Sequence, residues 1–189
     1  YNNGKGSELP FNIEDNLVSA WSMNEIDGST VTDNFGSNNG TATGTTINTT
    51  DPKVGVACRY FNGSSDDVTI TGYKGILGTD ARAFSAFVRS SDTKIQRMFA
   101  YGADVSAGTM VFNSENDKLS LRISYGNIIY SAPGLNDGNW HHVVLSLAQN
   151  ATLNDAEIYL DGALLSNVES SSNPATTINT VAGQDFKLG

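Results

Sequence analysis

Residues 136–166 read NDGNWHHVVLSLAQNATLNDAEIYLDGALLS, and this stretch decides the fold class. Val143, Leu145 and Leu147 alternate with Val144, Ser146 and Ala148, and Ile158 and Leu160 alternate with Glu157, Tyr159 and Asp161. A period of two belongs to a pleated strand with one face in a core. Asp161-Gly162 lies between extended runs, where a type I′ turn needs positive φ at both central residues. The stretch therefore predicts two strands joined by a polar loop, then a tight turn into a third.

The same reading extends outward. Residues 118–124 (KLSLRIS) give the cleanest alternation, with Leu119, Leu121 and Ile123 facing inward, and 127–131 pairs back over Gly126. Strands are also expected at 17–23 (LVSAWSM), 54–61, 67–70, 84–89, 96–101 and 109–112, with 54–61 paired to 67–70 across Asn62-Gly63-Ser64-Ser65. Residues 24–44 and 170–180 read as turn-rich, and the one helical turn expected is at 75–77. Roughly a dozen short strands with turn signals about every 8–12 residues predict an all-β, two-sheet antiparallel sandwich. Residues 1–16 are rich in Gly and Asn without periodicity and read as a linker or the tail of a preceding copy, leaving 17–189 as the domain.

Composition narrows the function. The chain of 189 residues carries a formal net charge of −9, with 11 Lys and Arg against 20 Asp and Glu. No basic cluster is present, which argues against nucleic acid and against anionic lipid. No apolar run reaches the length of about 18 residues that a membrane helix needs, so no membrane insertion is expected. The single Cys58 excludes an intrachain disulfide and a multi-cysteine zinc site, and it reads as a small core residue. His141 and His142 are the only histidines and, as strand neighbours, point to opposite faces. His141 shares parity with Val143 and Leu145 and reads as a structural, hydrogen-bonded side chain.

The order LVSAWSMNE, then D-x-x-G at Asp33 to Gly36, then ACRYFNGSSDDVTI, ARAFSAFVRS, GNWHHVVLSL and EIYLDGALL resembles the laminin-G-like, concanavalin A-like jelly-roll domains. The resemblance implies two curved antiparallel sheets. Members of that family usually end in a strand close to I-D-E-V, which is missing after Phe186 to Gly189. Tyr1-Asn2-Asn3-Gly4 looks like the segment that follows such a strand in tandem copies. The closing strand is then expected from residues outside this sequence, from a neighbouring chain or from residues 9–13, and an open sheet edge invites self-association.

The resemblance extends to glucanases, whose paired glutamates flank an aspartate on one strand. Glu25-Ile26-Asp27 matches only in part, because Ser29 and Thr30 stand where the second glutamate should fall. Retaining hydrolysis needs that second carboxylate, so no enzyme is expected. The family also implies a structural Ca²⁺ held by turn aspartates, for which Asp33, Asp66, Asp67 and Asp161 are the candidates. A sugar needs an aromatic platform. Trp21 and Trp140 sit in strand patterns and read as core, leaving Tyr73, Tyr101, Tyr125 and Phe35 as the ligand-binding candidates. The expectation is a non-catalytic recognition or adhesion module of an extracellular, cell-surface or virion-surface protein, binding a glycan or a protein surface. The alternative is a structural decoration, spacer or fibre module, as in phage fibres, that contacts its own copies.

Overall fold

The computed structural model describes residues 16–189. The linker at 1–16, but for Asn16, and the use of residues 9–13 as a closing strand lie outside the described residues. Two compact units are present, one ending at Tyr73 and including Gly189, the other spanning Lys74–Leu188.

The first unit holds β1 (Thr30–Val31), β2 (Gly40–Thr43), β3 (Thr46–Asn48), β4 (Cys58–Tyr60) and β5 (Asp67–Ile70). Antiparallel pairing joins β1 to β2 and β2 to β5, and separately β3 to β4. Its core is small: Val31, Ala57, Val68 and Ile70 are buried. Two sequence expectations are corrected. Residues 17–23 form no strand beyond an isolated Trp21 bridge to Asp33. Side chains take the amides a ladder would have used, with Asp33 Oδ1 accepting from Ala20 N and Asn34 Oδ1 from Ser22 N, and Met23 turns to φ 53°. Likewise Asn24 Oδ1 accepts from Val56 N and Ala57 N at 2.6 and 2.9 Å. Only Cys58–Tyr60 of the expected 54–61 strand survives, and its partner is β3, not β5.

The second unit carries β6 (Arg82–Val88), β7 (Gln96–Gly102), β8 (Thr109–Ser114), β9 (Lys118–Ile123), β10 (Gly126–Ser131), β11 (His141–Leu147), β12 (Glu157–Leu160), β13 (Ala163–Leu164), β14 (Val168–Ser172) and β15 (Gln184–Leu188). Six strands run in the order β15-β7-β8-β9-β10-β14 and four in the order β13-β12-β11-β6. All pairings are antiparallel. The two sheets face each other, since the Phe84 ring of β6 lies 4.7 Å from Phe99 of β7 and 6.1 Å from Phe112 of β8. Inward side chains at every second position bury Met110, Phe112, Leu119, Leu121, Ile128, Val143, Leu145 and Ile158. This two-layer arrangement is how sheets with one apolar face remove it from water.

The stretch 136–166 folds as its pattern predicts. Val143 pairs with Leu160 and Leu145 with Ile158, and Asp161 and Gly162 turn at φ 50° and 84°. The β8–β9 turn uses Asn116 and Asp117 at φ 45° and 56°, a type of turn these short polar side chains tolerate without glycine. The expected helical turn at 75–77 does not form. A 3₁₀ turn occurs instead at Leu153–Asp155, where Asp155 Oδ2 accepts from both N and Oγ1 of Thr152. The serine-rich β14 is a strand that residues 170–180 did not suggest.

Candidate ligand-binding face

The four candidate aspartates are committed to local hydrogen bonds. Asp33 is 6 % exposed. Its Oδ1 accepts from the amides of Ala20, Phe35 and Gly36 at 2.9–3.1 Å, and Oδ2 accepts from Asn38 N at 3.0 Å. Burial pushes this carboxyl up, but the four amide donors outweigh it and hold the pKa at about 2. Asp66 Oδ2 accepts from Asn62 N, Asp67 Oδ1 from Thr69 Oγ1, and Asp161 from His142 N and His141. Ca²⁺ asks for six to eight oxygens. N–H groups turned toward a carboxylate occupy the lone pairs such a cation would need, and no three acidic, His or Cys side chains among the described residues are grouped to hold a metal. At Asp33, whose carboxylate already accepts from four amides, the residues present do not fit the expected ion.

His141 bridges two carboxylates, with Nδ1 2.8 Å from Asp161 Oδ2 and Nε2 3.0 Å from Asp137 Oδ1. Both ring nitrogens donate only in the imidazolium, so Asp161 first and Asp137 second raise the His141 pKa despite its burial. The histidine ties the 137–140 loop to the Asp161-Gly162 turn. A raised folded-state pKa gives stability that is complete below about pH 6.5 and lost as pH rises through the folded value. Thermal melts are therefore expected to fall as pH rises above about 6.5, and His141→Gln should flatten that alkaline limb. A limb unchanged in the variant would refute the bridge. His142 is separate: its Nε2 is 2.8 Å from Ser85 Oγ and its ring 4.9 Å from Phe87.

The aromatic candidates separate by burial. Tyr101 is corrected: it is 5 % exposed, and its hydroxyl meets Arg82, Ile76 O and Met110 Sδ inside the core. Tyr73 is half-buried beside Trp21, ring centroids 6.4 Å apart. Phe35, 43 % exposed in the Asp33 loop, and Tyr125, 74 % exposed at the β9–β10 turn, remain accessible. Phe35 belongs to the first unit and Tyr125 to the second. Trp21 donates from Nε1 to Asn38 O, and Arg89 lies 5.2 Å over Trp140. Glu25 accepts from Thr32 N and stands 4.0 Å from the buried Arg59 guanidinium, a structural setting.

What the sequence reading missed is the outward face of the six-stranded sheet. Leu119, Leu121 and Ile123 of β9 point to the core, so Lys118, Ser120 and Arg122 point away from it. Opposite them on β10 stand Ser131, Ile129 and Asn127, and opposite Ser120 and Arg122 on β8 stand Asn113 and Val111. Lys118 pairs with Glu169 of β14 at 2.9 Å, an interaction that raises the lysine pKa and lowers that of the glutamate. At the β8–β9 end the face opens into a cavity of about 150 Å³ lined by Glu115, Asn116, Lys118, Ser120 and Ile129. Asn113, only 4 % exposed, and Asn127 each keep a buried Oδ1 without a hydrogen-bond partner. Native proteins seldom leave such acceptors unmet. The polar parity of 118, 120 and 122 was legible, but solvent-facing polar residues are ordinary and only the register shows them converging.

Comparison with known proteins fits this architecture. The family model Laminin_G_3, described as the concanavalin A-like lectin/glucanases superfamily, matches residues 62–189. No curated protein matches the chain. Among solved structures, the receptor-binding domain of botulinum neurotoxin C/D mosaic serotype superposes with a TM-score of 0.57 at 12 % identity, covering 94 % of this chain and 44 % of that one. The LG1-3 region of the laminin α2 chain gives 0.43 at 15 %, covering 61 % and 24 %, and domains LG4-5 of the mouse laminin α1 chain give 0.42 at 14 %, covering 69 % and 35 %. The chain thus spans less than half of each of these proteins, and identities this low speak to fold alone. A match over more than half of the sequence, onto antiparallel sheets packed face to face, places the chain in the laminin G-like, concanavalin A-like lectin/glucanase superfamily.

Proposed function

We propose that this chain is a non-catalytic recognition module of an extracellular or virion-surface protein, and that it binds a glycan on the outward face of the six-stranded sheet. The observation that carries the reading is the cavity of about 150 Å³ bordered by Glu115, Asn116, Lys118, Ser120 and Ile129. It combines a cation, a carboxylate, an amide and a hydroxyl with one apolar wall. Sugars are recognised by such mixtures, because hydroxyls donate and accept while ring C–H groups pack on apolar surface. The similar neurotoxin domain is named a receptor-binding domain, which supports a binding role for this architecture. The self-associating alternative draws little support from β14, an edge among the described residues that carries Glu169 and three serines. A short, polar, charged edge resists strand addition.

A glycan array run with and without Ca²⁺, followed by calorimetry on the best binder, tests the proposal. Lys118→Ala combined with Ser120→Leu is expected to weaken that sugar at least about tenfold, the loss of a charged hydrogen bond being about 1.5–3 kcal/mol. Ordered self-association with no sugar bound, or binding indifferent to the double variant, would overturn it. Hydrolysis of a β-glucan abolished by Glu25→Gln would overturn its non-catalytic part.

A further inference from the structure

The outward row of β9 carries two cations in different states. Lys118 is neutralised by Glu169 at 2.9 Å. Arg122 is exposed and has no hydrogen-bond or ion-pair partner among the described residues. Directly across from it on β10 is Asn127, and directly across from Ser120 on β8 is Asn113. These are the two asparagines whose Oδ1 atoms are buried and unpartnered among the described residues, and Asn113 is more than nine-tenths buried. An acceptor held out of water with no donor costs stability unless something on that face supplies one. Ser120 to Arg122 thus lies between two waiting amide carbonyls, beside an uncompensated guanidinium, with Val111 and Ile129 as apolar flanks. A guanidinium in that state suits a planar carboxylate, which it holds through two parallel hydrogen bonds.

We infer that this face binds a sugar bearing a single carboxylate, the carboxylate on Arg122 and sugar hydroxyls donating to Asn113 and Asn127. The inference rests on the glycan reading above and names the class of sugar. A polyanion does not suit the site: although Arg97 stands opposite Asn113 on β7 as a second cation of this face, a chain of net charge −9 repels repeated sulfates or phosphates at long range. A single charge pays only a small part of that repulsion. The chain from Lys118 to Arg122 rises about 13 Å, so the ligand reaches from the cavity across more than one sugar ring.

Calorimetry with sialyllactose, with a glucuronate-terminated disaccharide, and with the matching neutral sugars tests it, heparin serving as the polyanion. At least one carboxylated sugar is expected to bind about tenfold or more tightly than its neutral partner, and which of the two does so identifies the acid. Arg122→Gln should erase that preference while leaving the melting curve unchanged, and Arg122→Lys should restore part of it. Asn113→Leu should weaken both kinds of sugar without lowering stability, which a purely structural asparagine would not allow. Equal binding of charged and neutral sugars, heparin binding most tightly, or an unaffected Arg122→Gln would overturn the inference and leave the glycan reading standing. No sugar bound at all would overturn both.

Discussion

Arg82→Met is expected to cost about 3–5 kcal/mol, among the largest effects of any single change in the second unit. Arg82 opens β6 and is 8 % exposed. Its Nε donates to Asp80 O at 2.9 Å, and Nη2 donates to Gly78 O at 2.8 Å and Leu77 O at 3.3 Å. Nη1 donates to Ile76 O, to Thr180 Oγ1 at 2.7 Å and to Tyr101 Oη at 3.0 Å. One guanidinium therefore satisfies four carbonyls of the 76–80 loop and anchors it to the segment around Thr180, which in turn pairs with Gly78 through both backbone groups. Methionine fills the space and returns none of the donors, leaving buried acceptors orphaned. Arg82→Lys should recover little, because a lysine presents three donors from one point where the site uses a planar fork. Chemical denaturation followed by tryptophan fluorescence measures both. A loss below about 1 kcal/mol for Arg82→Met would show that water replaces the guanidinium at no great cost.

Asp33→Ala is the second large effect, expected at about 3 kcal/mol in the first unit. The four amides of Ala20, Phe35, Gly36 and Asn38 lose their acceptor at once, and the loop that brings residue 21 to residue 33 has no ladder to fall back on. The same carboxylate gives an acid limb. Its pKa is lowered from 3.8 to about 2, so its contribution is complete above about pH 4 and lost as pH falls toward 2. The difference is worth roughly 2 kcal/mol in this buried site. The acid limb of the stability curve should be shallower in Asp33→Asn than in the parent. Identical limbs would mean that another carboxylate carries acid denaturation.

The fold was legible wherever one face of a strand is apolar. KLSLRI and HHVVLSL display their buried parity openly, and the Asp161-Gly162 turn carries its own φ requirement. Legibility failed where side chains do the work of a ladder. LVSAWSM alternates as a strand should, yet Asp33 and Asn34 take its amides, and nothing in the local pattern of residues 17–23 announces a partner more than ten residues away. β14 was missed for the opposite reason. VESSS has no buried side chain and exists because β10 offers it an edge, so its signal lies in its neighbour. Tyr101 read as a turn-proximal aromatic; its burial follows from Arg82, nineteen residues earlier, whose charge needs a hydroxyl beside it.

The same physics explains the candidate site. A turn aspartate invites a metal assignment because its composition suits one, but here the amides arrive first. An outward asparagine invites none, because the sequence cannot show whether an exposed-parity amide is wetted or enclosed. Register does: β8, β9 and β10 bring Asn113, Ser120, Arg122 and Asn127 onto one surface from three strands, none of them within a recognisable motif.

Backbone amide chemical shifts, followed while the best sugar from the array is added to ¹⁵N-labelled protein, test the central claim most directly. Perturbations are expected to concentrate on Asn113, Lys118, Ser120, Arg122 and Asn127 and on the turn at Asn116. Perturbations confined to the exposed loops of Phe35 or Tyr125, with β8, β9 and β10 silent, would contradict it.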